Sequence, residues 1–180
     1  MTTYRISTPW YTEIYYNFTQ SDYWITFAGR NNSSTNYGRD SSGFYISQSW
    51  LGSAWWNFPS EIKSKDIKII KLHLDNPNWW WGCWLSMSNW NTNACCWAYG
   101  SWLIFNIDGT TITQAIPSNC WLIIDFENKV IYIDTSPNNK LMMSDSSITT
   151  LKNGITNWTV YLLLLCSWAK TSISEAKFYY

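Results

Sequence analysis

Charged residues are scarce in this chain of 180 residues, at 13% of the total, about half of the ~25% usual in a soluble domain. Twelve Lys and Arg residues stand against twelve Asp and Glu residues, so the formal net charge is zero. Nucleic-acid binding needs a surplus of basic residues to displace counterions from phosphates, so we expect no nucleic-acid partner. A chain without net charge also has little electrostatic repulsion between its copies. This favours a protein that functions as part of an assembly over one that is free at high concentration.

Long apolar runs are missing as well. The longest aliphatic run, from Val160 to Cys166, is far below the ~20 residues that cross a bilayer. The segment from Met1 to Trp10 shows no basic stretch followed by an apolar one, so it does not resemble a secretory signal. We therefore expect synthesis in a cytoplasm and no membrane insertion.

Histidine, the commonest metal ligand, occurs once in the chain. The single histidine, His73, lies among alternating apolar residues and is interpreted as a strand residue. The cysteines form no CxxC pair and are expected to be free thiols buried in a reducing compartment; they are Cys83, Cys95, Cys96, Cys120 and Cys166. The sequence predicts no metal site and no cofactor.

Signatures of catalysis are also missing, since the chain has no GxSxG, no phosphate-binding glycine loop and no HExxH. Its one close acidic pair is Asp125 and Glu127. Retaining glycosidases need two carboxylates about 5 Å apart, but this pair borders a predicted turn and is interpreted as two surface charges. No catalytic residue is predicted, and an enzyme is not expected. The lysines at 63, 65, 68 and 71 are interpreted as a solvated strand edge or face.

Period-two alternation and β-branched or aromatic runs recur along the chain, separated by Gly, Pro, Asn, Asp and Ser. This pattern predicts an all-β fold, an antiparallel β-sandwich, in one domain over residues 1–180. Tight hairpins are expected at Asp108-Gly109 and at Glu127 to Lys129. Loops are expected at Arg30 to Ser42, Asp75 to Asn78, Ser88 to Asn93 and Thr135 to Ser147. The predicted strands are Glu13 to Phe18, Trp24 to Gly29, Gly43 to Ser49, Ala54 to Phe58, Asp66 to Leu74, Trp79 to Ser88, Cys95 to Ile107, Cys120 to Glu127, Val130 to Asp134, Trp158 to Trp168 and Glu175 to Tyr180.

Aromatic residues are abundant, with 15 Trp and 12 Tyr. Consecutive strand residues point to opposite faces, and a two-layer sandwich has one core face per strand. In the predicted strand from Trp79 to Ser88 the odd positions are all apolar, which leaves Trp80 and Trp84 on the outer face. Trp102 is a further candidate, although a bulge at Gly100-Ser101 would swap the faces of its strand.

The segment from Cys120 to Glu127 alternates in the same way. Cys120, Leu122, Ile124 and Phe126 are expected inside, and Trp121, Ile123, Asp125 and Glu127 outside. Flat aromatics beside small polar groups suit sugars, whose rings offer an apolar face and hydroxyls. The alternative is that another subunit covers these aromatics. The predicted ligand-binding residues are Trp80, Trp84, Trp102, Trp121 and Asp125.

Three segments carry a resemblance to a known family: Cys120 to Asp134, Val160 to Trp168 and Ser174 to Tyr180. Together with Trp24 to Asn32 and Gly43 to Ile46, their strand pattern resembles concanavalin A-like, or laminin-G-like, jelly rolls. The metal loop of legume lectins and the acidic triad of sandwich glycosidases are not recognisable, so neither metal dependence nor hydrolysis is implied.

Similar domains without a signal peptide occur in tailed-phage fibres, baseplates and capsid decorations. The resemblance therefore implies a virion structural or adhesion protein that contacts other virion proteins and either binds a host surface polysaccharide or simply builds the fibre. A homo-oligomer is expected, with a trimer favoured. The alternatives are a monomeric, non-viral lectin or carbohydrate-binding module and, third, a glycosidase. The alternative to a location in the virion is the cytoplasm.

Overall fold

The computed structural model describes residues 10–20, 27–29, 36–48, 52–74, 83–87, 94–99, 102–107, 110–115, 119–138, 140–157, 160–166 and 169–180. Within these ranges the chain forms fifteen strands and two helices. The strands are β1 (Glu13–Asn17), β2 (Phe27–Gly29), β3 (Asn36–Asp40), β4 (Gly43–Gln48), β5 (Gly52–Trp56), β6 (Ile69–Leu74), β7 (Cys83–Met87), β8 (Ala94–Tyr99), β9 (Trp102–Ile107), β10 (Thr110–Ala115), β11 (Cys120–Asp125), β12 (Val130–Ile133), β13 (Leu141–Met142), β14 (Val160–Cys166) and β15 (Ala169–Tyr179). The helices are α1 (Ser60–Lys63) and α2 (Asp145–Thr156).

The strands form two sheets. The larger sheet has the order β13-β12-β11-β6-β15-β4-β3, and β1 also pairs with β15. The smaller sheet has the order β10-β9-β8-β7-β14-β5-β2. The strand pairs are antiparallel. Successive strands lie in different sheets at β1–β2, β2–β3, β4–β5, β5–β6, β6–β7, β10–β11, β13–β14 and β14–β15. The predicted all-β antiparallel sandwich is confirmed, and these crossings are compatible with a jelly roll.

The core lies between the two sheets and is rich in aromatic rings. Trp56 of β5 in the smaller sheet is 1% exposed. Its ring meets Tyr16 and Phe178 of the larger sheet edge to face, at centroid distances of 5.0 and 6.1 Å. Such edge contacts add about 0.5–1.5 kcal/mol each beyond the area they bury.

Alternation along β11 places its core side as predicted. Cys120, Leu122, Ile124 and Phe126 are all buried. Burial raises the pKa of the free Cys120 thiol to about 12, and Asp134 adds to the rise, so this cysteine is held as the neutral thiol. The strands that flank both predicted turns pair as expected, β9 with β10 and β11 with β12. Asp108 and Gly109 themselves lie outside the described residues.

Three predicted segments differ from the structure. The expected loop Arg30 to Ser42 contains β3, an edge strand whose Asn36, Gly38 and Asp40 have low β-propensity. The expected single strand Cys95 to Ile107 is two strands, because β8 and β9 pair with Tyr99 opposite Trp102. The expected loop Thr135 to Ser147 contains β13 and the start of α2. The expected loops Asp75 to Asn78 and Ser88 to Asn93 lie outside the described residues.

Helix α2 was not expected from the sequence. It begins after Ser144, whose side chain accepts a hydrogen bond from the Ser147 amide at 3.1 Å. Its buried residues Leu151 and Ile155 lie on one face at helical spacing. Neither helix within the described ranges is long and apolar enough to span a membrane.

Candidate functional site

Sheet pairing brings together side chains that are far apart in sequence. Trp121 on β11 lies opposite His73 on β6, and His73 lies opposite Glu175 on β15. Lys177, two residues further along β15, lies opposite Tyr15 on β1. Residues directly opposite each other in a sheet share a face. We call this set, Tyr15, His73, Trp121, Glu175 and Lys177, the Trp121 face.

The Trp121 face lies on the outer side of the larger sheet. The inner positions of β11 and β6, such as Leu122 and Leu72, are fully buried. Trp121 and His73 alternate with them and are half-buried, while Tyr15 is 37% exposed. The aromatic surface is therefore partly open to solvent.

Aromatic rings and a lysine amine pack against one another at the centre of this face. The centroids of the His73 and Trp121 rings are 4.8 Å apart and the ring planes are tilted by 49°. The Lys177 Nζ lies 5.1 Å from the centroid of the Trp121 ring and 5.1 Å from that of the Tyr15 ring. The lysine thus bridges two aromatic rings by cation–π contacts.

Hydrogen bonds fix the polar groups around the rings. The Tyr15 hydroxyl donates to Glu175 Oε2 at 2.9 Å. The His73 Nδ1 lies 2.7 Å from the Ser174 hydroxyl, at the point where the register between β15 and β6 shifts. A shift of register is typical of a bulge, which redirects side chains. The backbone amide of Trp121 donates to Asp134 Oδ1 at 3.0 Å.

A second row of long side chains flanks the Trp121 face. Lys71 lies opposite both Lys177 and Ile123, and its Nζ is 5.1 Å from the Tyr179 ring. Burial lowers the pKa of Lys71, as does the charge of Lys177, against the opposite effect of nearby carboxylates. Tyr132 lies opposite Ile123 on the side away from Lys71, and burial together with the charges of Asp125 and Asp134 raises its pKa. The face therefore combines neutral phenols with amines and carboxylates.

Asp125 and Ile123 were expected on the outer face and are 6% exposed each. Ile123 lies in register between Lys71 and Tyr132, two long side chains that account for its burial. The Asp125 carboxylate serves its own turn: Oδ1 accepts from the amides of Glu127 and Asn128 at 3.1 and 2.8 Å, and Oδ2 accepts from Asn128 Nδ2 at 2.8 Å. Glu127 is exposed.

The predicted ligand residues do not share one sheet. Trp121 and Asp125 lie on β11 of the larger sheet, whereas Trp84 on β7 and Trp102 on β9 belong to the smaller sheet. Trp84 lies opposite Trp97 and Leu163, but the side chains of Trp84 and Trp102 are outside the described part of the structure. Trp80 lies outside the described residues altogether.

Sequence reasoning did not single out Tyr15, Glu175 and Lys177, and it treated His73 as a strand residue only. These residues come together through the pairing of β15 with both β1 and β6, which places Tyr15 beside Glu175, 160 positions away. No local pattern in the sequence marks such a pairing. Among the described residues, no group of three or more His, Cys, Asp or Glu side chains is arranged to hold a metal ion.

No protein-family model matches the chain, and no curated protein matches it. Among solved structures, it is similar to the crystal structure of a protein of unknown function from Shewanella oneidensis MR-1. The identity is 10% and the TM-score is 0.44, over 94% of this chain and 86% of that chain. A likeness at this level carries no argument about function.

Proposed function

We propose that this protein is a lectin-like sandwich that binds a polysaccharide through the Trp121 face. The observation that supports the proposal most directly is the half-buried Trp121 ring, held against His73 and Lys177 beside the Tyr15–Glu175 hydrogen bond. A sugar ring has an apolar CH face that stacks on an indole and hydroxyls that need fixed polar partners. The Trp121 face offers both within one surface.

Each polar group has a distinct task in this proposal. Glu175 accepts hydrogen bonds from sugar hydroxyls, and Lys177 donates to them. A sugar that stacks on Trp121 displaces the Lys177 amine from the ring. This displacement costs about 0.5–1 kcal/mol, the strength of a cation–π contact at an exposed site, and the freed amine is then close to the sugar hydroxyls.

A single stacked sugar binds weakly, so useful retention on a polymer requires several linked sites. We propose a homo-oligomer, with a trimer favoured, that presents copies of the Trp121 face to a host surface polysaccharide from a virion. This location comes from the family resemblance alone. A native mass equal to one chain would instead favour a free lectin or carbohydrate-binding module.

The test compares the replacement of one tryptophan by alanine with the replacement of one tyrosine by alanine in the same sheet. Trp121→Ala should weaken retention on the best-bound member of a panel of neutral and acidic polysaccharides by about tenfold or more, the equivalent of about 1.4 kcal/mol. Tyr45→Ala is the matched control, because Tyr45 is a half-buried aromatic of β4 with Lys170 Nζ 4.7 Å from its ring centroid.

Equal retention of the Trp121→Ala variant and the parent, with both folded by circular dichroism, would refute the proposal. If the variant loses assembly and keeps binding, the Trp121 face is a subunit interface. The glycosidase alternative predicts turnover of the bound polysaccharide that Glu127→Gln abolishes.

A further inference from the structure

A cleft of about 310 Å³ lies between the segment that follows α1 and the C-terminal half of α2. Its charged lining consists of Lys63, Lys65, Asp66 and Lys152. The polar residues Ser64, Asn153 and Thr156 complete much of the remaining wall. None of these residues belongs to the Trp121 face, so the cleft is a separate feature of the molecule.

The cleft carries an excess of positive charge. Three lysines against one aspartate leave its lining with a formal charge of +2, in a chain whose net charge is zero. Asp66 forms ion pairs with Lys152 and, at 2.6 Å, with Lys68. Its single charge is therefore shared between two amines, and Lys63 and Lys65 add to the positive potential of the cleft.

Lys63 is an unusual lysine, since its side chain is 7% exposed in a structure where most charged residues face solvent. Burial lowers the pKa of its amine. An anion close to a buried ammonium favours the charged form and offsets part of the cost of its burial. Lys65 is positioned by the Tyr180 ring, whose centroid lies 4.5 Å from its Nζ.

We propose that this cleft binds a tetrahedral anionic group, phosphate or sulfate, carried on a sugar-sized molecule. Lysines act as point charges toward such anions. A water molecule takes a share of about 30 Å³ in the liquid, so the cleft has room for roughly ten waters, more than a lone inorganic anion fills. The proposal is independent of the Trp121 face, and either site can fail without the other.

Isothermal titration calorimetry of the whole protein with four probes tests the proposal: glucose 6-phosphate, glucose 6-sulfate, inorganic phosphate and glucose. We expect saturable binding of at least one ester, at least tenfold tighter than inorganic phosphate, and no binding of glucose at the cleft. The two ester arms show which anion is preferred. Affinity should fall as salt is added, because the attraction is electrostatic.

Lys63→Met keeps the length and burial of the side chain and removes its charge, so we expect it to weaken ester binding about tenfold or more. Lys65→Met, at a partly exposed position, is a second variant that does not alter the core. Lys140→Met is the matched control, since Lys140 is exposed and its Nζ lies over the Tyr132 ring instead. Ester binding no tighter than that of glucose, or unchanged binding in both folded cleft variants, would overturn the proposal.

Discussion

Asp125 holds the turn between β11 and β12 with both oxygens of its carboxylate. The turn needs this support because Lys129 has a φ of 57°, in the left-handed region that a side chain disfavours. Its neighbour Glu127 has the same charge and points into solvent. Two acidic residues that form one pair in the sequence thus have different surroundings, and the structure assigns the buried one a structural task.

Asp125→Ala should therefore destabilise the fold by about 2–3 kcal/mol, since it removes the hydrogen bonds that a buried charged acceptor makes to the turn. Glu127→Gln, at an exposed position, should change stability by no more than about 0.5 kcal/mol. Urea unfolding followed by circular dichroism measures both. Equal, small effects of the two substitutions would show that the carboxylate does not hold the turn.

At the scale of elements, α2 shows how a helix forms from residues of modest helical propensity. Its sequence from Asp145 to Thr156 is rich in Ser, Thr, Asn and Gly, which are neutral or unfavourable inside helices. The Ser144 cap fixes its start, and burial of Leu151 and Ile155 stabilises its inner face. Packing and capping thus outweigh propensity along α2.

Ser144→Ala should lower the free energy of unfolding by about 1 kcal/mol, through loss of the hydrogen bond to the Ser147 amide. Ser146→Ala, two residues later and exposed, serves as the control and should have little effect. Chemical denaturation measures the free energy of unfolding of both variants. If the two variants are equally stable, the cap contributes nothing to the helix.

The alternation of apolar and polar residues predicted the strands that bury one face. The best example is the segment of β11, since all four residues expected inside are buried. Alternation missed α2, whose apolar residues are too few to stand out, and the edge strand β3, in which Tyr37 is the single strong β-former. It also could not predict the Trp121 face. That face depends on which strands are neighbours, and pairing across most of the chain leaves no local pattern in the sequence.

At the scale of the whole molecule, two ion pairs link segments that are distant in sequence. Asp66 pairs with Lys152 of α2, and Asp40 of β3 pairs with Lys170 of β15 at 2.5 Å. Hydrogen bonds from Lys152 and Lys68 lower the pKa of Asp66. Burial alone would raise the pKa of Asp40, but hydrogen bonds from Lys170 and Ser42 lower it overall.

Both carboxyls thus have a lower pKa in the folded chain than the usual value near 3.9. At a pH between the folded-state pKa and this usual pKa, the unfolded chain therefore binds more protons than the folded chain. The stabilisation is complete above about pH 5 and is lost as the pH falls through the folded-state pKa. The double variant Asp40→Asn, Asp66→Asn should therefore lose less stability between pH 5 and pH 3 than the parent does. Urea unfolding at the two pH values measures the difference, and equal losses would contradict the assignment.

The Trp121 face is the proposed contact with a polysaccharide, and carbene footprinting with mass spectrometry maps such a contact side chain by side chain. With the best-retained polysaccharide present, we predict that labelling of Tyr15, Trp121 and Lys177 falls while labelling of Trp80, Trp84 and Trp102 stays unchanged. Protection confined to the latter three tryptophans, or no protection of Trp121, would contradict the account.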